Sequence, residues 1–127
     1  MLTKKINYIN NYNEVGKNFL NNYYTYRNNN INNTYSFFDK DCFITFLGHE
    51  FMGFNNYINK LNQLSLTNMK FNINSFYIQP TNTNSLLIIV NGTYLLNNNY
   101  INYTESLILK KNLFNKLLIH NSIFVKY

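Results

Sequence analysis

The chain of 127 residues has no alanine, no tryptophan, one arginine (Arg27), one cysteine (Cys42), one proline (Pro80) and four glycines. A lone cysteine excludes an internal disulfide and a thiolate metal cluster. Four scattered glycines make no phosphate-cradling loop. No stretch approaches the roughly 20 apolar residues of a membrane helix. The opening MLTKKINYINNYNE is interrupted by asparagine and lacks the apolar run of a signal peptide. These absences point to a soluble intracellular chain. Acids are scarce as well: five Asp and Glu stand against eleven Lys and Arg, for a net charge of +6. That charge is nearly all lysine and scattered, with pairs at Lys4–Lys5 and Lys110–Lys111. It reads as a solvated surface rather than a nucleic-acid stripe.

What is abundant is asparagine, 29 residues of it, together with Ile, Tyr, Phe and Lys. These residues have AT-rich codons, so a biased genome is the simplest cause. On that account the runs Asn28–Asn30 and Asn97–Asn99 are loops, not prion-like segments. The glycosylation sequons at Asn32, Asn91 and Asn102 arise by chance. The length is that of one domain, residues 1–127, with enough apolar residues for a core.

Hydrophobic spacing places the elements. Ile9, Tyr12, Val15, Phe19, Leu20, Tyr23 and Tyr26 recur at helical intervals from about Lys5 to Arg27. A short helix from Ile31 to Phe38 follows. In DKDCFITFLGHEFMGF, Asp39 to Phe54, the residues Cys42, Ile44 and Phe46 alternate with Phe43, Thr45 and Leu47 in a strand. Gly48-His49-Glu50 then makes a turn and Phe51-Met52 a short return. Tyr57, Ile58, Leu61 and Leu64 mark a third helix. Met69, Phe71 and Ile73 begin a strand that runs through Ile78 and that Pro80 should stop. Ser85 to Leu96 is strand on both faces at Leu86–Val90, with Gly92 as a bulge or bend. Tyr100 to Lys110 and Leu117 to Tyr127 complete four main strands. Helices segregated from a long, bent, antiparallel sheet define an α+β cone with one open end.

Candidate acids and bases for chemistry inside such a cone are Asp39, Asp41, His49, Glu50, Glu105 and His120. His49 and Glu50 fall in or beside a turn, and Asp39 and Asp41 at a strand start. Glu105 is the one carboxylate that an inward pleat would bury, against the commoner fate of surface pairing with a lysine. Cys42 packs as a small apolar side chain. Two histidines and scattered acids match no metal-ligand spacing, and no cofactor is expected.

The succession VGKNFLNNYY, CFITFLGHEFMG, KLNQL, QPT and VNG, continuing through SLILKK to HNSIFVKY, resembles the nuclear transport factor 2 family over nearly the whole chain. The resemblance implies a cone-shaped domain that dimerises through its sheet. It also implies partners: Phe-rich nucleoporin repeats and the GTPase Ran in its GDP form, in the nucleus, the cytoplasm and the pore. A relative in that family is the small partner of an mRNA-export receptor, and distant members use the cone as an enzyme or ligand pocket. By position, the repeat-binding aromatic matches Tyr12. The cavity that takes an aromatic of Ran matches Phe46, Leu64, Leu66, Met69 and Phe124. The acids that meet Ran's basic residues match Leu47 and Asn97, Asn98 and Asn99, which are neutral here. The resemblance therefore favours a repeat-binding transport factor and leaves Ran binding open.

Overall fold

The computed structural model describes residues 7–127. In chain order these form α1 (Tyr12–Asn29), a 3-10 helix (Ile31–Phe37), β1 (Phe38–Phe46), β2 (His49–Met52), α2 (Phe54–Gln63), β3 (Lys70–Asn82), β4 (Ser85–Leu96), β5 (Asn99–Lys111) and β6 (Leu117–Lys126). The architecture is the expected α+β one, but the sheet is larger than four strands and a separate hairpin. All six strands join in one sheet, in the order β2-β1-β6-β5-β4-β3. It is not wholly antiparallel either. The last strand returns beside the first and pairs with it in parallel, Ile44 opposite Ser122 and Phe46 opposite Phe124. The long connection between them makes that direction possible.

Helix α1 starts at Tyr12, later than its apolar spacing suggests. Lys5 and Ile6 lie outside the described residues, and Asn11 sits at φ 53, a left-handed conformation that no right-handed helix continues through. The buried stripe of α1 is Gly16, Leu20, Tyr23, Tyr24 and Arg27. Gly16 lets the helix lie directly on β3, because a Cβ there would come within 2.7 Å of Ile78 Cδ1. At the other end, the Asn28 side chain pins α1 to β3. Its amide donates to the Phe71 carbonyl at 2.8 Å and its oxygen accepts from the Phe71 N–H at 2.8 Å.

Three sheet features depart from the sequence reading. Strand β3 runs through Pro80 to Asn82, with Pro80 opposite Leu86 and an irregularity just after it. As the edge strand, β3 loses no ladder bond on its free side to the missing N–H. The bulge near Gly92 belongs to the opposite strand, between Ile73 and Ser75. Gly92 faces it because an added Cβ would lie 2.0 Å from the Asn72 carbonyl oxygen. The β1–β2 turn is Leu47-Gly48, at φ 49 and 84, so His49 and Glu50 open β2 opposite Phe46 and Thr45.

The pleat sorts the strands into two faces. Leu86, Ile88, Val90 and Tyr94 of β4, Tyr103, Leu107 and Leu109 of β5, Ile119 and Phe124 of β6, and Cys42, Ile44 and Phe46 of β1 are buried under the helices. Leu87 and Ile89 on the convex face are half-buried, so the apolar run of β4 is covered fully on one side. The registers also set two ends. The β1–β2 turn, the α2–β3 connection and the β4–β5 turn gather at one, called here the turn end. The β3–β4 turn, the β5–β6 loop and the first half of α1 gather at the other, the loop end.

Candidate functional site

The cone interior toward the turn end is built around a buried ion pair. Arg27 Nη1 lies 2.9 Å from Glu105 Oε1, both side chains 1% exposed. Tyr24 donates to the same oxygen at 2.7 Å, which commits its single hydrogen. The 2.9 Å contact between the Tyr24 and Tyr103 hydroxyls is therefore donated by Tyr103. The guanidinium sits 3.9 Å from the centre of the Phe71 ring, a cation–π contact made in a dry environment. Phe124 is stacked between Phe46 at 4.7 Å and Tyr103 at 4.6 Å, and its ring centre lies 5.4 Å from the guanidinium. Arg27 Nε and Glu105 Oε2 have no hydrogen-bond partner among the described residues. Glu105 thus departs from the surface pairing expected of it. Its register opposite Val90 and Phe124 turns it inward.

The tyrosines record how dry this interior is. Burial first, and then the Glu105 carboxylate, holds Tyr24 well above an ordinary phenol. Tyr23 is raised well above it too, burial outweighing the opposing pull of Arg27. Burial pushes Tyr57 and Tyr103 up to about 12. Burial, the largest single effect, would lower Arg27, but the Glu105 carboxylate together with the surrounding tyrosines Tyr23, Tyr57 and Tyr24 outweighs it and holds Arg27 well above its ordinary value. Chemically, a carboxylate already paired and covered by aromatic rings offers a substrate no access.

The remaining sequence candidates are dispersed. His49 and Glu50 are exposed on β2, and Asp41 is exposed on β1. His120 Nε2 stands 3.7 Å from Asp39 Oδ1 near the loop end. Cys42 is buried, which pushes its thiol up and away from reactivity. Among the described residues no three His, Cys, Asp or Glu side chains group as metal ligands. Among the described residues no helix is long and apolar enough to cross a membrane.

The ten candidate partner residues split between the two ends. Phe46, Met69 and Phe124, at 3%, 1% and 0% exposure, are core side chains at the turn end. Leu64, which caps α2, is 45% exposed, and Leu66 is half-buried. Leu47 occupies the left-handed corner of the β1–β2 turn, its N–H donating to the Phe124 carbonyl at 3.0 Å. Asn97 and Asn98 form the β4–β5 turn at φ 51 and 65, and Asn99 opens β5. Two successive left-handed residues are the requirement of such a hairpin, and asparagine tolerates it. Tyr12 stands apart, half-buried at the first position of α1 toward the loop end.

The loop end holds a site that sequence reasoning missed. A groove of about 670 Å³ runs along the first half of α1, floored by Ile9, Val15, Phe19, Phe37 and Leu117 and edged by Lys111 and Lys116. Phe19 meets Phe37 edge-on at 5.7 Å, which fixes part of the floor. The stripe Tyr12, Val15, Phe19 was visible as helix periodicity. Its use as a wall depends on the β5–β6 loop closing the far side.

The convex face is different again. One row crosses five strands, from Tyr77 through Ile89, Ser106 and Ile123 to Thr45, and carries no charge. Tyr77 and Ile123 are 64% and 51% exposed, and Val125 beside them is 42% exposed.

Residues 15–125 match the family model of the nuclear transport factor 2 domain, and the chain belongs to that family. Among solved structures, nuclear transport factor 2 from Cryptosporidium parvum superposes with a TM-score of 0.84 at 21% identity, over 98% of this chain and 100% of that one. The yeast UBP3-associated protein BRE5 gives 0.74 at 20% identity, over 86% and 91%. A ketosteroid isomerase-like protein from Erwinia carotovora atroseptica gives 0.71 at 16%, over 93% and 98%. A search of curated protein sequences returns no significant match. At these identities the structures share the fold, which hosts binders and isomerase-like proteins alike.

Proposed function

We propose that the protein is a non-enzymatic transport factor, a dimer through its convex sheet face, that takes up Phe-rich nucleoporin repeats between cytoplasm and nucleus. The observation that carries this reading is the groove along α1. Its floor of Ile9, Val15, Phe19, Phe37 and Leu117 offers apolar and aromatic surface for a Phe ring, and Tyr12 continues the same helix stripe. Shallow aromatic insertions of this kind are individually weak and release quickly, which suits passage through a repeat meshwork. The sealed Arg27–Glu105 interior speaks against a cavity enzyme or a small-ligand carrier.

Import of Ran-GDP is the less supported branch. Leu47 and Asn97–Asn99 are neutral where the family presents acids, and losing a desolvated charge partner costs about 2–5 kcal/mol. Phe46, Met69 and Phe124 are core side chains, so an incoming aromatic would have to open the core. The uncharged row on the convex face also supports a second reading, the small partner subunit of an mRNA-export receptor. A second copy remains the better fit, because two identical faces meet there without opposed lysines.

The test is capture on immobilised FxFG peptides. Tyr12→Ala and Val15→Asp should each weaken binding about tenfold, and Ile123→Asp should convert the dimer to monomer on size-exclusion chromatography. Absence of capture by wild type and variants alike would sink the repeat-binding reading.

A further inference from the structure

The β5–β6 loop carries the two most exposed large apolar side chains among the described residues, Leu113 at 101% and Phe114 at 89%. The loop is not slack. Asn112 Oδ1 accepts from the Phe114 N–H at 2.9 Å and the Lys116 N–H at 3.0 Å. The Asn115 N–H donates to the Asn112 carbonyl at 3.0 Å, and the Asn112 N–H to the Lys116 carbonyl at 2.9 Å. These bonds make a β-turn with Leu113 and Phe114 at its two corners and Asn115 at φ 62 after it. Turn corners favour small polar residues, and nothing in this bonding pattern calls for Leu or Phe.

The surroundings are basic. Lys110 and Lys111 lead into the turn and Lys116 leads out, while Lys40 of β1 shares a cleft with the tip. No Asp or Glu occurs from Ser106 to the C-terminus. The acids of this end are Glu14, exposed in the first turn of α1, and Asp39 and Asp41 of β1. Asp39 faces His120 at 3.7 Å and accepts the Asp41 N–H at 2.9 Å, and Asp41 itself is exposed.

We propose that the Leu113–Phe114 tip is a contact for anionic lipid surfaces. It inserts its two side chains at the headgroup–acyl boundary, with Lys110, Lys111 and Lys116 against the headgroups. A convex apolar point with flexible lysines behind it on both sides suits a soft, diffusely negative surface. A protein pocket would instead need acids at fixed places to meet those lysines. The tip itself is separate from the repeat-binding groove, with which this contact shares only the edge lysines Lys111 and Lys116.

The test is co-sedimentation of the full chain with vesicles of phosphatidylcholine alone, or with about a third phosphatidylserine. Binding is expected on the anionic vesicles, reduced about tenfold or more by Leu113→Ser/Phe114→Ser and about fivefold by Lys111→Gln or Lys116→Gln. FxFG capture by Leu113→Ser/Phe114→Ser, neither of which lines the groove, should stay at the wild-type level. Because the chain has no tryptophan, Phe114→Trp supplies a unique fluorophore whose emission should shift to the blue on adding anionic vesicles. No vesicle binding, equal binding by the tip variant and wild type, or loss of a protein ligand without vesicle binding would each overturn the proposal.

Discussion

The two ends of the sheet use the same residue types in opposite ways. At the turn end, the interior rings and the chain's one arginine are packed out of solvent: Tyr23, Tyr103, Phe124 and Arg27 are at most 2% exposed. At the loop end, aromatic and aliphatic residues line an open groove, and Leu113 and Phe114 stand free in solvent. The proposed recognition at the loop end rests on this difference. This chain has filled the cone interior and left apolar surface at the loop end and on the convex face. Arg27 makes the same point from composition. In a chain that uses lysine at every other basic position, arginine persists where a planar, stacking, permanently charged group is needed.

The largest expected effect breaks the filled end. Glu105→Gln keeps the shape but leaves the Arg27 charge uncompensated beneath the rings, and should cost about 3–5 kcal/mol of stability by denaturant unfolding. The double change Arg27→Met with Glu105→Leu removes both charges and should restore most of that loss. If Glu105→Gln unfolds like wild type, the ion pair does not organise the interior.

The next effect is alkaline. Below about pH 10, folded and unfolded chains both keep their tyrosine protons and stability is flat. Above it, the unfolded chain releases them at the ordinary value while the fold holds Tyr57 and Tyr103 up to about 12. The unfolded state then binds fewer protons, so stability falls as pH rises, by about 1.4 kcal/mol per pH unit for each such tyrosine. Melting temperatures measured from pH 8 upward should show a plateau and then a decline. Tyr57→Phe should make the decline shallower, and an unchanged slope in that variant would mean Tyr57 titrates as if exposed.

Much of this contrast was legible in the sequence, but not its geography. The alternation of Cys42, Ile44 and Phe46 against Phe43 and Thr45 reports the buried face of β1 correctly. The inward direction of Glu105 was readable too, since it shares strand parity with Tyr103, Leu107 and Leu109. What masked it is the general rule that lone strand carboxylates pair at the surface. Its counterpart Arg27 lies on the Tyr23–Tyr24 stripe of α1, 78 residues earlier. No local pattern links two such positions. The groove was illegible for a related reason. Val15 and Phe19 look like any core stripe until the parallel β1–β6 pairing brings Leu117 and the β5–β6 loop opposite the first half of α1.

The smallest effect sharpens the comparison from the open end. Leu113→Ser/Phe114→Ser removes two large apolar side chains, as much surface chemistry as a core substitution. Because neither is buried by the fold, stability should stay within about 0.5 kcal/mol of wild type. By contrast, Phe124→Ser, whose ring is fully buried between Phe46 and Tyr103, should lose several kcal/mol, about 3–5 by the scale of large core truncations. Thermal melts of the two variants side by side read the contrast directly. A large loss from the tip variant would mean that Leu113 and Phe114 are covered in solution, most simply by a second copy of the chain. In that case the loss should grow with protein concentration, because a dimer's stability depends on mass action and a monomer's does not.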